Sequence, residues 1–445
     1  MQALALVLVV LLAVPAVRGQ EQDSSVNLPL LKKLGASEDV LDLIGLRSAE
    51  SERELTRKAM DTSASAEAPP LALFLLPFIA ANPNNGLMIG VGAQAGYFLG
   101  LATTTRMSSS QGSVSLTSKE QIIVTTQSTL FSSADEWQFL IDYRYYDFTQ
   151  STYGLGSSAP EGAPVFGGFT INGVHTTPVP GEQPMAFDYL RLHQMALRRI
   201  SNGLYVGAGL LFDFHRNIED KNLNLDSAKP TITSHYGYSK VFGFDPNGYQ
   251  TNGVSIEAVY DKRDNLISPF YGPYARVALR YNPTWLGSSK NSALAWAEFR
   301  SYLSLDDILP RHILGFWTYI HTTIAGTVPY LDLPALGYDF NGRSGRGYLQ
   351  GRFRGTSLAY GELEWRFPIT RSGLLGGVVF GNLTTASRPA FQEYTEEKLF
   401  HRLRGAMGFG LRIMALKYSR TMIGIDFGRS SDGNTAIYFS VGDAF

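Results

Sequence analysis

The sequence lacks cysteine, has few charged residues and carries almost no net charge. Of its 445 residues 17% are charged, and the formal net charge is −1 at pH 7. Without cysteine the chain can form no disulfide framework, no thiolate metal site and no thiol nucleophile. The balanced charge also removes the electrostatic reason to expect nucleic acid as a partner.

Long apolar runs are missing beyond the N-terminus. Residues 4–14 form one apolar run, and Pro15 and a small-residue site near Gly19 follow it, so residues 1–19 are predicted to be a secretory signal peptide. A membrane-spanning helix needs roughly 20 apolar residues, and no other segment offers them. An exported chain that enters a membrane without helices must do so as a closed β-barrel, because only a closed sheet satisfies every backbone group in lipid.

Residues 20–70 differ in composition from the remainder of the chain. Glu, Asp, Ser, Lys and Arg dominate this segment, and short helical patterns cover residues 37–46 and 50–60. It is predicted to be a periplasmic leader, partly helical or disordered, and the alternative is a docking segment for a partner. The barrel domain is predicted over residues 71–445.

From residue 71 onward the chain reads as strands joined by alternately short and long connections. This pattern predicts an all-β fold, a 16-stranded antiparallel transmembrane β-barrel. Without the segment that contains Pro77 and the Ser/Thr-rich segment at 104–116, the count is fourteen. The predicted strands cover residues 71–81, 86–99, 104–116, 120–131, 135–149, 188–200, 203–216, 249–262, 271–283, 291–304, 311–324, 357–368, 374–385, 402–413, 419–428 and 434–445.

The two faces of the segment at 357–368 distinguish a membrane barrel from a soluble one. Glu362 and Glu364 alternate with Leu363 and Trp365, so the charged side chains share one face and the apolar ones the other. A Lys or Arg on the lipid face costs roughly 2–4 kcal/mol at mid-membrane. Strict separation of charge therefore favours a barrel with a polar lumen, and a soluble sheet with its charges in water is the alternative.

Four motifs follow one another along the predicted barrel. They are Pro83-Asn84-Asn85-Gly86 before a Gly-rich strand, the run from Tyr260 to Asn265 with Pro269 and Gly272, Arg346-Gly347-Tyr348, and the run from Glu362 to Pro368. This order resembles the barrel of the BamA/TamA outer-membrane assembly proteins, the bacterial surface antigen family. The resemblance implies a bacterial outer-membrane protein with an inward-folded loop, which assembles, inserts or translocates outer-membrane components without enzymatic turnover, metal or cofactor.

The resemblance also implies partners, namely outer-membrane lipid and either unfolded outer-membrane protein clients or periplasmic partner proteins. Residues 20–70 are too few for one of the periplasmic POTRA repeats of the family. The sequence therefore predicts a short member without POTRA repeats. A passive or substrate-specific channel, which keeps the fold without the assembly role, is the alternative function.

By the same resemblance, the motif that begins at Arg346 forms the tip of the inward-folded loop. A buried arginine needs a partner, since an unpaired buried charge is costly. Glu364 matches one of the acidic wall positions of the family, and Glu362 lies beside it. Asn382 stands where the family carries a second acidic residue. We expect Arg346 to rest on Glu364, with Asn382 as a neutral acceptor.

The first and last strands are expected to meet at a weak seam. Pro77 removes one ladder donor from the first strand, and Gly442 is expected to weaken the last. Phe439, Val441 and Phe445 are predicted to share the outer face of the last strand, and they resemble a C-terminal assembly signal. A seam short of hydrogen bonds could open sideways and template an incoming strand.

Other candidate chemistry is sparse. Asp261, Arg263 and Asp264 predict a turn network at the periplasmic rim, with a metal or ion site as the alternative. His193 and His215 are expected to line the lumen as ordinary polar residues. The sequence contains no Gly-x-Ser-x-Gly elbow and no zinc-protease motif, so an enzyme would require a Ser–His pair that only the fold brings together.

Overall fold

The computed structural model describes residues 39–40, 72–82, 86–159, 170–171, 174–390, 395–417, 419–443 and 445. The predicted signal peptide and nearly all of the predicted leader lie outside these residues, so both stay predictions. Asp39 of the leader is described, and its carboxylate accepts a hydrogen bond from the backbone N–H of Lys417 at 2.9 Å. None of the helical residues in these ranges belongs to a segment long and apolar enough to cross a bilayer.

Sixteen strands within the described ranges form one antiparallel sheet in which each strand pairs with its neighbours in sequence. The predicted count is confirmed, and the alternative of fourteen is wrong because both doubtful segments form strands. The strands are β1 (Ala72–Asn82), β2 (Gly86–Tyr97), β3 (Ser108–Thr117), β4 (Ile122–Phe131), β5 (Trp137–Thr152), β6 (Gln183–Ser201), β7 (Leu204–Asp220), β8 (Tyr249–Asp261), β9 (Gly272–Asn282), β10 (Ser292–Ser304), β11 (Ile313–Gly326), β12 (Ser357–Pro368), β13 (Leu375–Ala386), β14 (Arg404–Leu416), β15 (Thr421–Ser430) and β16 (Thr435–Val441).

The connections differ between the two rims of the barrel. One rim, here the short-turn rim, carries tight links such as residues 202–203, 369–374 and 417–420. The other rim carries the long connections 153–182, 221–248, 327–356 and 387–403. The second of these contains the helix α1 (Ser234–Phe242), which is capped by the Thr233 hydroxyl accepting a hydrogen bond from the Tyr236 N–H at 3.3 Å.

The outer face of the barrel is apolar, and the inner face carries the charges. Leu363 and Trp365 are 57% and 40% exposed, whereas Glu362 and Glu364, which alternate with them, are 2% and 0% exposed. A belt of exposed apolar side chains on this scale belongs against lipid. The chain is therefore a transmembrane barrel of the bacterial outer-membrane kind. The belt continues on other strands with Leu87, Val114, Val206, Leu279, Phe316, Val379, Phe409 and Phe427.

The two ends of the sheet lie next to each other without joining. β1 and β16 are in contact, but no backbone ladder connects them within the described part of the chain. Pro77 lies inside β1, opposite Val91 of β2, rather than outside the paired region. β1 is also apolar on both faces. Its exposed outward side chains include Leu73, Leu75 and Ile79, and its half-buried inward side chains include Phe74, Leu76 and Phe78.

The end of β16 differs from the sequence prediction. Phe439 lies on the outer face and is exposed, and Val441 is half-buried. Phe445 was predicted to share that face, and this is wrong: its side chain is buried, with its ring centroid 5.4 Å from that of Trp317. Gly442 follows the strand instead of weakening it. Its φ of +83° turns the chain away from the strand direction, a conformation that glycine adopts without steric cost.

Candidate functional site in the barrel lumen

Residues 327–356, here called the lumenal loop, fold back into the barrel and contact opposite walls. On one side, Arg144 of β5 donates to the backbone carbonyls of Asp339 and Phe340 at 2.8 and 2.9 Å. On the other side, the hydroxyls of Tyr319 in β11 and Ser344 lie 2.9 Å apart. The loop therefore spans the lumen.

Arg346 is the centre of the contact between the lumenal loop and the wall. Its Nη1 lies 2.8 Å from Asp426 Oδ2, and its Nη2 donates to both Glu362 and Glu364. The guanidinium carbon lies 3.7 Å from the centroid of the Phe380 ring. Burial by itself lowers the pKa of Arg346, but the three carboxylates together hold that pKa well above its usual value. The cation is thus fixed in its charged form.

The partners of Arg346 are not quite those predicted. Asn382 does not accept from the guanidinium; its Nδ2 donates to the backbone carbonyl of Arg346 at 2.8 Å. That expectation is wrong because an amide can serve as donor as well as acceptor, and three carboxylates accept from the two terminal nitrogens of the guanidinium. Sequence reasoning missed Asp426. The signal was present, since Asp426 lies between the exposed, apolar Ile425 and Phe427 and must point inward.

The carboxylates that hold Arg346 belong to a larger network of ion pairs. Glu364 also binds Arg366 at 2.6 Å, and Asp426 also binds Arg412 at 2.5 Å. Both arginines bind Asp443, just beyond β16, at 2.9 and 3.1 Å. A buried pair is costly to break because the remaining charge loses its partner. The network therefore ties the wall from β12 to β15 to the end of the last strand.

The residues after Arg346 fit closely against the wall. Gly347 has φ of +103°, and a Cβ atom there would lie 2.6 Å from the Cβ of Ala406. Its N–H donates to the hydroxyl of Tyr438 on β16 at 2.9 Å, and that hydroxyl donates to the carbonyl of Tyr348 at 2.8 Å. Only glycine combines this conformation with this approach.

The motif at Asp261, Arg263 and Asp264 forms a turn network at the short-turn rim. Asp261 binds Arg263 at 2.9 Å and Arg106 at 3.3 Å. Asp264 binds Arg420 at 2.6 Å. Guanidinium groups thus occupy the carboxylates that a cation would need. In the described ranges no group of His, Asp and Glu side chains has the arrangement of a metal site.

The histidines predicted to line the lumen are both on its wall. His193 Nε2 lies 2.7 Å from Asp213 Oδ2. His215 Nδ1 lies 3.4 Å from Asp332 Oδ1 of the lumenal loop, and Asp332 Oδ2 accepts from the Thr251 hydroxyl at 2.5 Å. The hydrogen bond between Thr251 and Asp332 holds the start of the loop against β8.

The fold does bring a serine, a histidine and an aspartate together in the order of a hydrolase triad. His235 Nδ1 lies 2.7 Å from Asp220 Oδ2, and its Nε2 lies 3.5 Å from the Ser239 hydroxyl. Ser239 and His235 are each 0% exposed. A nucleophile has to touch its substrate, and this hydroxyl touches only protein. The cluster therefore anchors α1 to β7.

Comparison with known proteins gives a match in fold. No family model matches the sequence, and no relative was found among curated proteins. The barrel is similar to BamA from Haemophilus ducreyi lacking POTRA domains 1–3, with a TM-score of 0.51 and 13% identity over 84% of this chain and 70% of that chain. It is also similar to CdiB from Acinetobacter baumannii, with a TM-score of 0.47 and 14% identity over 83% of this chain and 59% of that one. At these identities the similarity to BamA establishes the fold.

Proposed function

We propose that this protein assembles, inserts or translocates outer-membrane components through the seam between β1 and β16. The observation that carries the proposal is that these strands lie side by side without a ladder in the described part of the barrel. An unpaired edge presents backbone N–H and C=O groups that another strand can bind. An unfolded outer-membrane protein is a partner that supplies such a strand.

A cavity beside the seam supports this role. It has a volume of about 410 Å³ and lies between the lumenal loop and the two edge strands. Leu76 and Phe78 of β1 and Tyr438 and Ser440 of β16 are among its lining residues. The lumen therefore reaches the seam, where an incoming segment would meet apolar side chains and the edges of β1 and β16.

The channel alternative fits the lumen less well. A passive or substrate-specific channel needs an open path, whereas the lumenal loop crosses the barrel and is bound to opposite walls. Conductance in a planar bilayer separates the two functions. A low, flickering conductance is expected of an assembly barrel with a docked loop, and a steady, solute-selective conductance would favour the channel.

A disulfide across the seam tests the proposal directly, because the chain has no cysteine of its own. One cysteine is introduced at Leu76 or Phe78 of β1 and the other at Ser440 of β16, and the pair that oxidises fully is used. The control pair replaces Leu75 and Ala93, which face each other in the β1–β2 ladder. That ladder is continuous, so oxidation there should leave function unchanged.

The readout is the set of outer-membrane proteins and lipids that reach the membrane after the native protein is depleted. The oxidised seam pair is expected to reproduce the depletion, and a reductant is expected to restore assembly. Full activity of the oxidised seam pair would remove sideways opening as the mechanism.

A further inference from the structure

Arg343 joins the lumenal loop to the last strand from inside the barrel. Its Nη2 donates to the backbone carbonyl of Val441 at 2.6 Å and to Gln111 Oε1 of β3 at 3.3 Å. Its Nη1 donates to the backbone carbonyl of Asp443. One guanidinium therefore connects the end of β16 to a strand on the far side of the seam.

One of the two backbone carbonyls that Arg343 binds, that of Val441, lies on the free edge of the sheet. The N–H of Gly442 donates to the carbonyl of Met422 in β15 at 2.7 Å. Successive residues of a strand turn their backbone groups to opposite sides, so the carbonyl of Val441, the last residue of β16, points away from β15. Asp443 lies beyond the strand, and its N–H donates to the carbonyl of Ile267 at 3.2 Å. The carbonyl of Val441 is an acceptor that a strand added at the seam would need.

The chemistry of Arg343 differs from that of Arg346. Arg346 binds three carboxylates, whereas no carboxylate among the described residues lies within ion-pair distance of the Arg343 guanidinium. Removal from water lowers the pKa of Arg343 to about 10 despite the nearby Asp443 carboxylate, and Arg412 acts in the same direction as burial. Hydrogen bonds to neutral acceptors hold a cation less firmly than ion pairs do, so the Arg343 contact breaks more easily than the Arg346 contact.

The backbone of Arg343 is held in place by its own turn. Its N–H lies 3.2 Å from each carboxylate oxygen of Asp339, which also accepts from the N–H and hydroxyl of Ser344 at 2.9 and 2.6 Å. Arg144 of β5 fixes the carbonyl of the same aspartate. Movement of the loop at this turn would therefore withdraw the guanidinium from β16.

We propose that Arg343 is the positioning residue that caps the free edge of β16 and fixes that edge to the lumenal loop and to β3. An incoming strand gains the carbonyl of Val441 only after the loop withdraws Arg343, so loop movement controls access to the end of the edge. This inference rests on the proposed function in one respect, namely that a strand is added there. The capping itself is a property of the isolated barrel.

Hydrogen–deuterium exchange of the purified, full-length protein tests the capping. Arg343→Gln is expected to raise amide exchange of residues 435–443 about tenfold, because the hydrogen bonds that fix the strand end are lost. Exchange in the β12–β13 ladder should not change. Gln111→Ala removes only the contact to β3 and is expected to give a smaller rise in the same peptide.

The matched control is Arg354→Gln in the same loop. Arg354 is also buried and also donates to backbone carbonyls, those of Tyr330 and Leu331, but these lie within the loop itself. Arg354→Gln should therefore loosen the start of the lumenal loop without raising exchange in β16. Unchanged exchange of β16 in Arg343→Gln, or an equal rise in the control, would overturn the proposal. The seam disulfide experiment measures assembly, whereas this experiment measures amide exchange. Failure of the proposed function can therefore be distinguished from failure of the capping.

Discussion

Replacing Glu364 with glutamine should loosen the lumenal loop far more than replacing Asn382 with alanine. Glu364 accepts from two buried arginines, Arg346 and Arg366, so its charge supports two contacts. Hydrogen bonds to charged groups contribute roughly 1.5–3 kcal/mol each, and glutamine keeps one acceptor oxygen. We expect a loss of about 2–3 kcal/mol, which raises the population of open loop roughly 30- to 150-fold.

Asn382→Ala should lower the stability of the docked loop much less. Its amide makes one neutral hydrogen bond to the carbonyl of Arg346, worth roughly 0.5–1.5 kcal/mol. The Asn382 Oδ1 atom is buried without a partner among the described residues, so its removal recovers part of that loss. The open population should therefore rise roughly two- to tenfold, at the lower end of that range.

Limited proteolysis within residues 327–356 measures both variants, under conditions in which cleavage is slower than loop closure. Leu363→Ala is the control, since Leu363 lies on the same strand but faces lipid. Equal cleavage rates in Glu364→Gln and Asn382→Ala would refute the reasoning, because charge on the wall would then not be what holds the loop.

Three further predictions concern the loop and the buried triad. Burial and the charge of Asp213 raise the pKa of Asp332 from 3.8 to about 7. The docked state therefore binds a proton that the open state releases, so loop docking weakens as pH rises from about 4 to about 7. Asp332→Asn should make protease protection of the loop independent of pH over that range. Ser239→Ala should leave any ester hydrolysis by the purified protein unchanged, whereas His235→Ala should lower the free energy of unfolding by about 1–3 kcal/mol in a denaturation series. Gly347→Ala should displace the loop tip from the wall and increase loop cleavage, and unaltered cleavage would contradict the close fit.

The strands and their two faces were predictable from the sequence, because alternation of side chains with period two is a local property. Leu363 and Trp365 against Glu362 and Glu364 illustrate this, and the structure places all four on the predicted faces. A soluble alternative fails for the same reason, since the exposed face is the apolar one.

The details of the site were harder to predict, because they depend on residues distant in sequence and on backbone conformation. Asp426 reaches Arg346 across 80 positions of the chain, and no local pattern links the two. Phe445 is buried and Gly442 has a positive φ, and the sequence pattern specifies neither. The donors of Arg343 bind backbone carbonyls, and such acceptors have no signature in the sequence.

The apolar character of β1 on both faces determines which edge strand can move if the seam opens. A strand with Phe74, Leu76 and Phe78 on one side and aliphatic side chains on the other can move into the bilayer without carrying a charge into hydrocarbon. β16 cannot move in this way, since Asp443 beyond its end is bound by Arg366 and Arg412. In the sideways opening proposed above, the first strand would therefore be displaced while the last stays in place, and the incoming strand would be added to the stationary side.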